Sequence, residues 1–418
     1  MTPTEEHPRK LPPAVVVGLD NMTGLQTARI LAGYQIPVIG IAADPDHFAC
    51  RTNVCQALLY ADTASPAFLD TLEQIGPHFT EKAVLFPCTD LAVLNISAHR
   101  DRLAPWYHIV LPEHNVVEML MDKTRLAIYA QEAGFAIPAT RLLGDRADAV
   151  RAAAELTFPC ILKPAVKAPD WHERTGDKVH RVEDGRALLA LYDRFRRWAD
   201  LLMVQEWIPG PDANLYSCNC YFSRDSEPLV AFIARKLRQW PPEAGTSCLG
   251  EEVRNDEVLH ESLRLFAGVG YRGLGYVEMK RDERTGRHYL IEPNIGRPTG
   301  RSAICEAGGV PLLYTMYCDA IGLPLPENRE QRYTGVKWIY LRRDLQSAFY
   351  YWRRGELSLR DWWHSIRGPK AYAIYAPHDW GPFWADISTT LRKGARSLRR
   401  KARRRVSLPG TVVPSVKP

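Results

Sequence analysis

Between Ala14 and Pro112 short apolar runs alternate with helix-like stretches, and this alternation restricts the fold more than any other feature of the chain. "AVVVGL" (Ala14–Leu19) reads as a buried strand, followed through "DNMTG" by the helical "LQTARILAGY". "IPVIGIAAD" is a second strand ending on Asp44, "KAVLFPCTD" a third and "YHIVLP" a fourth, with a helical stretch from Leu91 between the last two. Strands joined by helices at this spacing build βαβ units and a parallel sheet, so the class is α/β. Ligands of such sheets sit beyond the carboxyl ends of the strands. Asp20, Asn21, Gly24, Asp44, Thr89 and Asp90 are therefore expected on the rim, with Asn21, Gly24 and Asp90 as candidate substrate contacts. The glycines from Gly18 to Gly24 do not form GxGxxG, which argues against a dinucleotide site.

The 418 residues are too many for one ordinary core, so about two to four domains are expected. Nine cysteines are scattered without a CxxC pair, and "MTPTEEHPRKLPP" contains no apolar segment of the signal-peptide kind. A reducing, cytoplasmic location without disulfides is the expectation. The net charge of +6 is uneven: "LRKGARSLRRKARRR" (Leu391–Arg405) carries nine basic residues and no acid. Subtracting that +9 from +6 leaves −3 for the rest, so any basic partner surface belongs to the tail and not to the fold. No apolar run approaches membrane-spanning length.

Beyond Pro112 the pattern mixes helices with antiparallel strands. "HNVVEMLMDKTRLAIYAQEAG" reads as one helix, capped at Gly134. The apolar strands "FPCILKPA" and "LLMVQEWI" bracket a helical stretch, and "PGPD" stops the second of them. Strands around "YSCNCYFS" and "LVAFIARKL", a helix at "HESLRLFAGVG" and the hairpin Tyr276–Ile291 follow. After about Leu325 "KWIYLRRDLQSAFYYWRRGELSLRDWWHSIRG" turns rich in tryptophan and arginine, and reads as an appended amphipathic helical module.

The hairpin "GYVEMKRDERTGRHYLIEPN" carries the most chemistry. Facing positions of an antiparallel pair have a constant index sum, and residues of like parity share a face. Placing Glu278 opposite Glu292 puts Arg281 opposite Tyr289 and leaves a five-residue loop at 283–287. Like charges directly opposite repel unless a cation lies between them. Asn294, two residues on, adds a neutral oxygen from the same side, and three hard oxygen donors suit Mg²⁺. A surface hairpin with two solvated glutamates is the alternative. The absence of GxxxxGK[ST] excludes a P-loop as the source of a metal site. Lys163, inside an apolar strand, is costly to bury unpaired and so faces an anion or snorkels from the strand end.

Taken in order, "MDKTRL" (Met121–Leu126), "FPCILKP" (Phe158–Pro164), "VQEWIPGPD" (Val204–Asp212), "GYVEMKRD" (Gly275–Asp282) and "LIEPN" (Leu290–Asn294) resemble the ATP-grasp superfamily, more closely its carboxylate–amine ligase branch. The resemblance covers about residues 14–320. It implies an ATP-grasp architecture: a parallel-sheet pre-ATP-grasp domain over 1–115, an α+β ATP-grasp domain over 116–325 with a lid at about 140–204, the helical module over 326–390 and a basic tail over 391–418. By the same resemblance Lys123 and Lys163 are the nucleotide-binding lysines. "QEWIPGPD" looks like the interdomain hinge of D-alanine–D-alanine ligases, so Gln205, Glu206 and Ile208 would line the adenine and Asp212 would take the ribose. Glu278, Glu292 and Asn294 match the magnesium ligands, which implies ATP and two Mg²⁺ ions, with Mn²⁺ as a substitute.

Two departures matter. The usual ending E-x-N-P-R reads "EPNIGR" here, so the phosphate or intermediate role passes to Arg297, with Arg301 as the alternative. The lid loop, glycine-rich in many relatives, reads "AVKAPDWHERTGDKVH", in which Lys178 would replace backbone donors; Trp171 and His172 either cover the substrate or pack the lid. In "ARKLRQWPPEAGTS" alternation sends Lys236 and Arg238 to one face and Arg235 to the other. That cationic face either offsets charge on a transferred phosphoryl group, with Arg238 catalytic, or guards a solvated edge strand.

The implied reaction is ATP-dependent activation of a carboxylate as an acyl phosphate, followed by attack of an amine. The partners are then small-molecule acids and amines, and no protein nucleophile is required. A nucleotide-binding regulator without turnover, and an ATP-grasp enzyme with another acceptor such as a thiol ligase or carboxylase, stay open beside it. The tail's charges suit an anionic membrane face, which would hold a cytoplasmic protein at the inner membrane surface; nucleic acid is not the expected partner. A homodimer stays open.

Overall fold

The alternation in the first hundred residues closes as a parallel sheet with strand order β3-β2-β1-β4-β5. Its strands are β1 (Ala14–Val17), β2 (Val38–Ala42), β3 (Ala57–Tyr60), β4 (Ala83–Pro87) and β5 (Tyr107–His108). β3 was not visible in the sequence pattern, because "ALLY" is a short edge strand with its outer residues exposed. In this computed structural model the described residues are 11–165, 171–175, 179–242 and 245–392. Lys178, the side chain of His172 and the basic run after Arg392 lie outside them.

The single helix expected after Pro112 is two, His114–Met121 and Lys123–Glu132. Asp122 separates them, its carboxylate accepting from the N–H groups of Thr124 and Arg125 as an N-cap. Lys123 therefore stands at the first position of the second helix, exposed at its tip.

Four antiparallel strands, β6 (Thr140–Leu143), β7 (Cys160–Pro164), β8 (His180–Val182) and β9 (Leu202–Glu206), form a small sheet in the order β6-β9-β7-β8. It has its own core, which includes Leu162, Leu188, Phe195 and Val204. Trp171 belongs to that core: it is 3% exposed and meets the rings of Phe195 and His180 edge-on. It packs the core of the small sheet.

The large sheet runs β14-β13-β10-β11-β12-β15-β16. Its strands are β10 (Leu215–Phe222), β11 (Pro228–Trp240), β12 (Thr246–Glu252), β13 (Gly273–Arg281), β14 (His288–Ile295), β15 (Lys337–Ile339) and β16 (Lys370–Tyr372). The C-terminal segment is helical over Leu341–Arg353, Leu359–Ser365 and 381–392, and it also contributes β15 and β16 to this sheet. One apolar core joins both large elements, with Val15 and Leu85 of the parallel sheet packed in the same cluster as Cys220, Phe222 and Val277. That shared core brings the rim of the first sheet to the face of the third.

Candidate active site

The hairpin places Glu278 opposite Glu292 and Tyr276 opposite Asn294, as alternation requires. Toward its tip the register slips. Met279 pairs with Leu290, so Ile291 is an extra residue on β14, Arg281 faces His288 and not Tyr289, and the loop is 282–287. A β-bulge of this kind shifts every later pair by one and leaves no trace in the polar–apolar pattern. The clamp itself lies on the regular side of the bulge.

Glu278, Glu292 and Asn294 line a cavity of about 790 Å³ together with Lys236, Arg297 and Arg301, and Asn21 and Asp90 border it from the first sheet. The two carboxylates are in unequal surroundings. Glu278 has Lys236 Nζ at 3.3 Å and Arg301 Nη2 at 3.7 Å from Oε1. Burial works against its charge, yet those two cations hold its carboxyl below the usual range. Among the described residues Glu292 has no such pair. Glu292 opens to solvent at the cavity, yet partial desolvation by the surrounding protein and repulsion from Glu278 push its carboxyl upward, against the weaker pull of Lys236 and Lys163.

The displaced arginine is explained by Gly296. Its φ of +67° is a left-handed turn that a side chain disfavours, and a Cβ there would lie 2.5 Å from Leu111 Cδ2. The turn folds the chain back, so that Arg297 Nη2 donates to Asn294 Oδ1 at 2.6 Å, Nε to Asp90 at 2.5 Å and Nη1 to the Tyr276 hydroxyl at 3.1 Å. Arg301 is more deeply buried, at 5% exposure, and donates through Nη2 to Ser217 Oγ at 3.0 Å. Its Nη1 is buried without a hydrogen-bond partner among the described residues. A guanidinium beside two carboxylates in a polar cavity also suits an anion. Both arginines border the cavity.

Arg238 corrects the expectation of a shared cationic face. Lys236 faces Gly250 while Arg238 faces Leu249, so Leu237 is an extra residue that breaks the alternation. Arg238 pairs instead with Asp344 of helix Leu341–Arg353, Nε and Nη2 donating at 2.8 and 3.1 Å, with both side chains buried. It does not border the carboxylate clamp. The edge-strand alternative fails as well, since β11 lies between β10 and β12. Of the three cations on β11, Lys236 alone borders the clamp.

In the small sheet, Lys163 Nζ donates to Gln205 Oε1 at 3.1 Å, and Gln205 Nε2 donates to Thr140 Oγ1 at 2.9 Å. Burial brings the Lys163 ammonium down to about 8, with Lys123 adding repulsion and Glu292 opposing it. Glu206 Oε1 accepts from the Thr157 N–H, and Ile208 is buried at the end of β9. A second cavity of about 660 Å³ is bordered by Trp207, Asp212, Lys280 and Tyr351. Asp212 accepts from Gln239 Nε2 at 2.7 Å and from the Tyr351 hydroxyl at 2.8 Å, which holds its carboxylate in place while leaving further acceptor capacity. Lys280, with its Nζ 4.4 Å from the centre of the Trp207 ring, was missed in the sequence. Its parity with Glu278 was the available signal.

Two rim residues are structural. Asn21 caps helix Met22–Gly33, accepting from Gly24 N–H and donating to Gly18 O at 2.7 Å, while still bordering the cavity. Gly24 does not border it. A Cβ on Gly24 would fall 2.3 Å from Gly18 O, so glycine is required for the helix to approach the strand. Gly24→Ala is expected to cost about 1–3 kcal/mol of stability, read from the urea unfolding midpoint. A neutral result would contradict this packing role.

Among the described residues no three His, Cys, Asp or Glu side chains cluster as a metal site. A divalent ion here would be held by two carboxylates and an amide oxygen, and the unpaired, upward-shifted Glu292 beside Glu278 is a place where such an ion relieves repulsion. The donor set fits Mg²⁺.

A parallel sheet whose rim meets a large antiparallel sheet, with a small antiparallel sheet beside it and acidic residues on the hairpin between, is the ATP-grasp fold. N5-carboxyaminoimidazole synthetase from Staphylococcus aureus, solved with ADP, superposes with a TM-score of 0.60 at 14% identity, covering 77% of this chain and 80% of that one. In sequence the chain is similar to the D-alanine–D-alanine ligase of Pseudomonas entomophila, 26% identical over 189 residues, which is 42% of this chain and 54% of the relative. It is also similar to the D-aspartate ligase of Enterococcus faecium, 22% identical over 256 residues, 57% of this chain and 59% of the relative. The chain thus spans just over half the length of these relatives. No protein-family model matches it.

Proposed function

We propose that the chain is an ATP-dependent ligase that activates a carboxylate as an acyl phosphate and joins it to an amine. The observation that carries this reading is the single cavity in which Glu278, Glu292 and Asn294 meet Lys236, Arg297 and Arg301. The ligase names of its relatives support it. A carboxylate oxygen of the acid attacks the γ-phosphorus and ADP leaves; the amine nitrogen then attacks the acyl carbon, phosphate leaves and the nitrogen gives up a proton. Arg301, bordering the cavity, is suited to the acid or the transferred phosphoryl oxygens, and Lys236 to charge that grows beside Glu278. Lys163, oriented by Gln205, would meet the phosphates, and Asp212 the ribose hydroxyls. Bound Mg²⁺, held by Glu278, Glu292 and Asn294, would neutralise phosphate charge. Positioning and electrostatics are enough for this chemistry, and no protein nucleophile is assigned.

ADP release measured with Mg²⁺ and ATP against panels of carboxylic acids and amino acids tests the reading. Turnover that requires both an acid and an amine supports it. Tight ATP binding with no turnover under any combination favours the nucleotide-binding regulator instead.

The Lys163 ammonium gives a separate pH expectation. Its free value is about 8, and a bound polyphosphate favours the charged form and raises it. ADP affinity should then be full below that value and fall up to about tenfold per pH unit above it. Lys163→Arg, charged throughout, should flatten the profile in calorimetric titrations. A wild-type affinity constant from pH 7 to 9.5 would remove Lys163 from the phosphate site.

A further inference from the structure

Ten of the fourteen large hydrophobic side chains left exposed among the described residues lie between Leu341 and Leu391. On helix Leu341–Arg353 they are Leu341, Leu345, Phe349 and Trp352, a helical spacing that makes one stripe. The other face of that helix is in use: Asp344 and Ser347 are fully buried, binding Arg238 and the carbonyl of Gln239. Leu359 and Trp363 repeat the pattern four residues apart on helix Leu359–Ser365. Trp380, Trp384 and Leu391 do so along the segment that includes helix 381–392. Polar bonds tie the three helices into one unit, Trp362 Nε1 donating to Asp344 at 2.9 Å and Arg342 Nε to Asp386 at 2.8 Å. Exposed aromatic and leucine side chains repeated along three linked helices mark an interaction site.

Charge selects the occupant. Arg342 and Arg353 flank the stripe, Arg353 standing 5.9 Å from the centre of the Phe349 ring. The chain leaves the last helix at Leu391 and Arg392 directly into the run that carries nine basic residues and no acid up to Arg405. A second copy seated on this face would bring the same positive run against itself. Tryptophan and leucine on one face, arginine at its border and a polybasic continuation fit a surface that is apolar beneath and anionic at its rim. We propose that the C-terminal unit docks on an anionic lipid bilayer, with its exposed stripes in the acyl boundary and the basic run held to the headgroups. Two weak attachments of different kind then act together, which is what stable peripheral binding needs. This inference stands apart from the ligase reading.

Co-sedimentation of the full chain with vesicles tests it, using phosphatidylcholine alone and phosphatidylcholine with about one-third phosphatidylglycerol. Binding to the anionic vesicles only, weakening as salt rises, is expected. The double variant Phe349→Ser, Trp352→Ser alters exposed positions, so its thermal unfolding should be unchanged. Its vesicle affinity should fall about tenfold or more at fixed salt, and quenching of tryptophan fluorescence by brominated lipid should fall with it. Affinity equal to wild type in that variant overturns the proposal and leaves the basic run as a purely electrostatic tether. Absence of binding to anionic vesicles overturns it outright. A wild-type dimer that the same variant dissociates assigns the stripe to a second copy, and nucleic-acid binding without vesicle binding assigns the charge elsewhere; either also overturns it.

Discussion

Glu292→Gln is expected to lower Mg²⁺-dependent ADP formation by about 10²–10³-fold without loss of the fold. Glutamine keeps the size of the side chain and one carbonyl oxygen, but removes the charge that, with Glu278, makes the clamp attractive to a divalent ion. The protein itself loses little. Glu292 is the member of the pair whose charge is disfavoured, by partial desolvation and by Glu278 on the facing strand, whereas Glu278 keeps its contacts with Lys236 and Arg301. The metal-free variant should therefore unfold at no lower temperature than wild type, and Mg²⁺ should stabilise the wild type more than the variant. Turnover assays over a Mg²⁺ titration, paired with thermal unfolding, separate the two effects. Undiminished Mg²⁺-dependent turnover would remove the metal site.

Asp344→Ala should be the most damaging single change outside the cavity, costing about 3–5 kcal/mol. Asp344 is fully buried and receives two hydrogen bonds from Arg238 and one from the Trp362 indole. Alanine leaves a buried guanidinium with no counter-charge and an indole N–H with no acceptor. Replacing both partners, as Arg238→Met with Asp344→Leu, removes the desolvated charges together and is expected to recover most of the loss. Chemical denaturation of the single and double variants reads this directly. If the double variant is as unstable as Asp344→Ala, the cost lies in packing and not in the orphaned charge.

The same pair shows where sequence reasoning reached its limit. Glu278, Glu292 and Asn294 were legible because they lie on regular strand positions, where side chains alternate strictly and the turn sets the register. Lys236 was placed correctly for the same reason. Two residues later Arg238 was not, because the extra residue Leu237 interrupts the alternation. The bulge at Ile291 displaced the hairpin tip in the same way. Lys163 was recognisable as an apolar-strand lysine in need of a partner, but its partner Gln205 comes from β9, a strand that only the small sheet brings beside it. β15 and β16 were invisible, being three residues each and strands only because the edge of a sheet was there to receive them.

What the chain alone determined is therefore local and periodic: the parallel sheet with its rim, and the hairpin with its facing carboxylates. Periodicity determines these because the backbone geometry of a strand dictates which side chains share a face. What only the tertiary structure decided is which charge meets which. Arg238 went to Asp344, Arg297 to Asp90 and Asn294, and Arg301 to Ser217 and Glu278. The partners of each lie on separate elements, and the energy of a buried charge depends on the groups that packing places within a few ångströms of it.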